Sequence, residues 1–127
     1  MDRQRGFTLV EVLVALVILT LVITTTLAAF LERNRRLQQA NETILAYQAL
    51  ANEAEVWRRT DFASVAPATT FHSDTTILAP LAPFTVAATV SSPKTDVKNV
   101  TLTITWKGEH HADLELTRVN TGGSNLW

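Results

Sequence analysis

Two hydrophobic patterns divide the sequence. From Val12 to Leu31 no charge interrupts an apolar run, and extending the run back to Phe7 adds only Glu11. At about 1.5 Å per residue, Val12–Leu31 spans about 30 Å, the thickness of a bilayer's hydrocarbon core. A helix apolar on every side is predicted there. Beyond Leu31 the pattern turns amphipathic. Leu37, Ala40, Ile44, Tyr47, Ala51, Ala54 and Trp57 recur at steps of three and four, which places them on one helix face. The other face carries Glu32, Arg35, Gln39, Asn41, Glu42, Gln48, Glu53 and Arg59. No Gly or Pro intervenes before Pro67, so a single helix from about Phe7 to Arg59 is predicted. Its apolar stripe, including Tyr47 and Trp57, is expected to form part of a core.

The pattern then changes period. Residues 60–83 hold three of the four prolines and many Ala, Ser and Thr, and read as a loop with a short strand at Thr75–Leu78. Three alternating segments follow. Phe84, Val86, Ala88 and Val90 share one face; so do Val100, Leu102, Ile104 and Trp106; so do Ala112, Leu114 and Leu116. Period two with one apolar face predicts half-buried strands. Ser91–Lys98, with Pro93, is the expected loop between the first two. Lys107-Gly108-Glu109-His110 is the expected hairpin turn between the last two. The predicted fold class is therefore α+β: a long N-terminal helix packed on a small antiparallel sheet. The expected divisions are a leader at 1–6, a membrane half of the helix at 7–31 and a soluble domain at 32–127. Within that domain come the amphipathic helix 32–59, the loop 60–83, the sheet 84–119 and a tail 120–127.

Composition narrows the chemistry. The chain has 127 residues, a net charge of −1 and no cysteine. One soluble domain fits that length. Bulk charge does not indicate nucleic acid as a partner, and without Cys neither a disulfide nor a thiolate metal site can form. The histidines are His72, His110 and His111; the last two are neighbours whose side chains diverge in a strand, so they read as solvated turn residues rather than a metal site. Asp61, Asp74 and Asp96 are isolated, unlike a calcium loop. No Gly-rich phosphate loop or nucleophile elbow is present. No catalytic residue, metal or cofactor is expected. Arg33, Arg35 and Arg36 form a basic cluster just beyond the apolar run, placed to meet lipid headgroups or acidic neighbours.

The charge at Glu11 needs a reason. A carboxylate at the centre of a membrane span costs about 2.5–3.5 kcal/mol on insertion scales. A cleaved secretory signal would have a shorter apolar region, although Thr26-Leu27-Ala28 loosely fits a cleavage site. A plain signal-anchor explains the length and leaves Glu11 unexplained.

The run Arg5-Gly6-Phe7-Thr8-Leu9-Val10-Glu11-Val12-Leu13-Val14-Ala15-Leu16 resembles the N-terminal signature of type IV pilins and type II secretion pseudopilins. A short basic leader ends in Gly; Phe follows; Glu stands fifth after the Gly; an apolar helix continues. The resemblance covers about the first 30 residues. It implies that a prepilin peptidase cuts between Gly6 and Phe7 on the cytoplasmic side and methylates the new amino terminus of Phe7. It also implies that Glu11 recruits and registers subunits by meeting the amine of a neighbour within the membrane. Implied partners are the peptidase, other pilins or pseudopilins, the inner membrane and its assembly platform. The implied location is a single-pass inner-membrane protein with a periplasmic C-terminal domain, passing into a periplasmic or surface filament.

The strand ending Ile104-Thr105-Trp106 is similar to those of V-type minor pilins and I-type minor pseudopilins. A minor structural subunit of a type IV pilus-like filament is therefore expected, rather than an enzyme. A minor pseudopilin of type II secretion and a signal-anchored periplasmic binding module are the alternatives. Many major pilins carry a Pro within the span; here none occurs between Phe7 and Val65, and Thr24-Thr25-Thr26 is the local soft spot.

Overall fold

The computed structural model describes residues 6–121. The first five residues of the expected leader and residues 122–127 of the expected tail lie outside the described residues. The chain divides into two compact units, Met1–Gln39 and Ala40–Trp127. One α-helix, α1 (Leu9–Arg59), contributes to both.

Among the described residues of the N-terminal unit, the apolar side chains of α1 from Leu9 to Leu31 are exposed. The helix is long and apolar enough to cross a membrane. It starts at Leu9 rather than Phe7. Thr8 accounts for the difference: its carbonyl accepts from the amides of Glu11 at 3.0 Å and Val12 at 3.2 Å, and its Oγ1 accepts from the Glu11 amide at 3.3 Å. That is the N-cap arrangement, in which a hydroxyl satisfies an amide left open in the first turn. The threonine-rich turn does not break the helix. The hydroxyls of Thr20, Thr24, Thr25 and Thr26 instead donate back to carbonyls one turn earlier, at 2.7–2.9 Å.

The C-terminal unit is a three-stranded antiparallel meander packed on the second half of α1. Strands β1 (Phe84–Lys94), β2 (Val97–Trp106) and β3 (His110–Val119) lie in the order β1-β2-β3. The register pairs Ala88 with Leu102 and Leu102 with Leu114, so the predicted apolar faces align. Val100, Leu102, Ile104 and Trp106 of the central strand are all buried. They meet Ala46, Ala49, Leu50, Ala54 and Trp57 of the helix, and Leu78 and Leu81 of the connecting segment.

Three expectations need correction. The loop over Ser91–Lys98 is largely strand: β1 runs to Lys94, and a two-residue turn at Thr95-Asp96 leads into β2. One extra residue on β1 between Ser91 and Lys94 shifts the register there. Pro93 is tolerated because β1 is an edge strand. The predicted strand at Thr75–Leu78 is a 3-10 helix, Thr76–Leu81, and another short 3-10 helix covers Phe62–Ser64. Asp74 starts the longer one, accepting at 2.9 Å from both the amide and the hydroxyl of Thr76. An Asx turn of this kind competes with extended structure. The predicted hairpin turn Lys107–His110 is confined to Lys107–Glu109, with His110 already in β3; Lys107 (φ 51°) and Gly108 (φ 73°) are both left-handed.

The third correction concerns which side of α1 faces the sheet. The buried helix residues are Glu42, Ala46, Ala49, Leu50, Glu53, Ala54 and Trp57. Of the predicted stripe, only Ala54 and Trp57 are among them. Leu37, Ile44 and Tyr47 are about half exposed, and Ala40 and Ala51 are exposed. At 100° per residue these five lie on the far side of the helix from Ala46, Ala49 and Glu53. The true inner stripe carries two glutamates and small alanines, a pattern that reads as polar until the partners of those glutamates are known.

Candidate functional site

The residues singled out in the sequence lie together at the start of the chain's described part. Gly6, Phe7 and Thr8 precede α1 and Glu11 lies in its first turn. Because the helix starts at Leu9, Phe7 is not one helical turn below Glu11, as a helix from Phe7 would have placed it. Phe7 is 81% exposed. A Cβ built on Gly6 meets nothing within 4 Å. Gly108 differs, since its left-handed backbone favours glycine. The fold itself therefore has no need of a glycine at position 6.

Glu11 is the acidic residue of the first helical turn, where a negative charge favours the N-terminal dipole. Among the described residues its carboxylate has no hydrogen-bond or ion-pair partner. It shares a shallow groove with Phe7, Val12, Ala15, Leu16 and Leu19. Thr8-Leu9-Val10-Glu11 also has the spacing of a capping box, with the hydroxyl and the carboxyl three residues apart. Only the threonine half of that box is formed, which leaves the carboxylate oxygens available.

Two buried glutamates of the C-terminal unit were read from sequence as surface residues. Glu53 is sealed from solvent. It accepts from the His72 amide at 2.9 Å, the Ser73 amide at 2.8 Å and the Trp57 indole at 2.7 Å, and the His72 ring Nδ1 lies 3.0 Å away. Burial works against its charge, yet the amide bonds from Ser73 and His72 outweigh that and hold its carboxyl below the usual range. His72 is thus not merely a solvated turn residue: its ring is exposed on one side and tied to Glu53 on the other. Glu42, near the opposite end of the inner stripe, accepts from the Trp106 indole at 3.1 Å and pairs with Lys107. His110 stacks on Trp106, and His111 is exposed.

The sheet also closes the far end of α1. Arg118 donates to the carbonyls of Arg58 and Thr60 at 2.5 and 2.6 Å. Lys98, its register partner, donates to those of Phe62 and Val65 at 2.8 and 3.0 Å. A cation suits the Arg58 and Thr60 carbonyls, which stand at the negative end of the α1 dipole. Alternation marks Lys98 and Arg118 as inward residues at the ends of their strands, which is the sequence signal that could have found them. No group of three or more His, Asp or Glu residues is placed to hold a metal among the described residues.

Residues 1–27 match the prokaryotic N-terminal methylation motif. This match and the α+β fold support a pilin- or pseudopilin-like protein, a class made as a precursor for prepilin peptidase. The matched class is structural, and its members assemble with other pilins. No curated protein and no solved structure matches the chain significantly.

Proposed function

We propose that the chain is a minor pilin-like structural subunit, assembled into or at the tip of a type IV pilus-like filament. Prepilin peptidase cuts between Gly6 and Phe7 and methylates the amine of Phe7. Residues 7–31 cross the inner membrane once, and residues 32–127 face the periplasm until assembly. The observation that carries this reading is Glu11, a carboxylate without a partner among the described residues, on a helix surface that is otherwise apolar. A new amine at Phe7 of a neighbouring subunit supplies the missing charge, and a low-dielectric surrounding strengthens the pair.

Other features support the same reading. Gly6 is unexplained by the fold and suits an extended passage through a protease cleft. The apolar side chains of α1 are exposed from Leu9 to Leu31; in the C-terminal unit Ile44 and Tyr47 are about half exposed, away from the side covered by the sheet. Packing between helices of neighbouring subunits covers such a surface. The short soluble part and the strand ending in Trp106 favour a minor subunit.

Mass spectrometry of the purified protein tests processing: a mature chain beginning with methylated Phe7 is expected. An intact leader or a cut near Ala28 points to a signal-anchored binding module instead. Replacing Glu11 by Leu tests the pairing, with loss of incorporation into filaments or of co-purification with sister subunits expected. Unchanged incorporation removes the pairing argument.

A further inference from the structure

The two edges of the sheet are unlike. On β1, the Ala68 segment forms a bridge to Ala88, with amide-to-carbonyl bonds of 2.9 and 2.7 Å in both directions. Pro93 removes a further donor from the same strand. On β3, the described residues pair only with β2, so the outer amides and carbonyls of His110–Val119 form an open ladder. Natural sheets seldom leave a long edge strand unmanaged, because it templates pairing with another chain.

The outward side chains of this strand restrict what can pair with it. Asp113 and Glu115 are exposed on the face away from the helix, flanking inward Leu114. An antiparallel copy of β3 must align residues of like parity to keep the apolar faces on one side. The two longest such alignments set Asp113 against Glu115, or Glu115 against itself. Like charges directly opposite are destabilising in a sheet.

We infer that β3 is a docking edge for a strand of a different subunit, one that carries basic residues opposite Asp113 and Glu115 and an apolar residue between them. Main-chain bonds supply the attachment and the alternating side chains supply the choice of partner, as in other cases of strand addition. The inference rests on the assembly reading only for the source of that strand.

The test uses the full chain in detergent micelles with two synthetic peptides. One is Thr-Val-Lys-Val-Lys-Val-Thr; the other has Glu in place of both Lys. Amide hydrogen exchange is followed along the chain at low salt. The Lys peptide is expected to slow exchange within 110–119, and the Glu peptide to bind about tenfold more weakly, from two reversed cross-strand charge pairs. The double variant Asp113→Lys/Glu115→Lys is expected to exchange these preferences. Equal binding of both peptides, or protection confined to other segments, overturns the inference. So does β3 edge protection in the free chain that disappears when residues 122–127 are removed. Normal processing and filament incorporation with an inert β3 edge would defeat this inference alone. A docking edge in a chain whose leader stays uncut would defeat the assembly reading alone.

Discussion

His72 meets Glu53 through two of its atoms: its backbone amide donates to Oε2 at 2.9 Å, and its ring Nδ1 lies 3.0 Å from Oε1. With the Ser73 amide and the Trp57 indole, these contacts tie the segment between helix and sheet to α1. Replacing Glu53 by Ala strands several buried donors and is expected to cost about 3 kcal/mol. Gln keeps one acceptor oxygen and is expected to cost less. Urea unfolding followed by tryptophan fluorescence measures both, since Trp57 is itself a partner.

The same carboxylate makes stability depend on acid. Folded Glu53 is held below its ordinary value of 4.5, to which it returns on unfolding. Its stabilising contribution is therefore present above about pH 4.5 and is lost as the pH falls through the lower folded-state value. Asp74 is lowered too, through its bonds to the Thr76 amide and hydroxyl, and acts with the same sign. Unfolding free energies measured below pH 4.5 are expected to fall less steeply in Glu53→Gln than in the parent chain. Asp74→Asn serves as the control for the other group.

Arg118 and Lys98 act as a pair. Arg118→Met removes two donors from the carbonyls at the end of α1 and is expected to cost about 1–2 kcal/mol. Lys98→Met is expected to cost about 1 kcal/mol on the same grounds. Because the two side chains are register partners, their effects should not add. A double-mutant cycle on thermal unfolding checks this.

The two faces of α1 should respond differently to truncation. Leu50→Ala opens a hole in the core and is expected to cost about 2–5 kcal/mol. Tyr47→Ala and Ile44→Ala remove half-exposed side chains and are expected to cost the isolated chain only about 0.5 kcal/mol. If neighbouring subunits cover that face, the same two changes reduce filament incorporation. Unfolding and incorporation assays on all three variants separate the two roles.

Alternation located the sheet residues well, because a strand's period of two assigns faces without outside information. Thus Val100, Leu102, Ile104 and Trp106 were all legible as core. The helix was legible in extent but not in orientation. Leu37, Ile44 and Tyr47 make an apolar stripe on the side the sheet leaves bare, while the covered side interrupts Leu50 and Trp57 with glutamates and alanines. The covered side depends on Glu42 and Glu53, whose burial becomes affordable only through Trp106, Lys107, His72 and Ser73, residues distant in sequence. The prolines gave no signal of the Asx turn at Asp74, which makes part of the segment between helix and sheet helical. At the N-terminus Gly6 was conspicuous because the fold has no need of it, and Glu11 because it is a charge in an apolar run; the cap at Thr8 has no signal in a pattern that extends back to Phe7.

That cap has its own consequence. Thr8 secures the first turn of α1 from inside the segment Thr8–Val12. A cut anywhere before it leaves every bond of that turn in place. Loss of the preceding residues would alter the electrical character of the terminus while leaving the rod's geometry intact. A precursor and its trimmed product would then present the same helix, distinguished by the charge on the single residue, Phe7, that stands ahead of the cap.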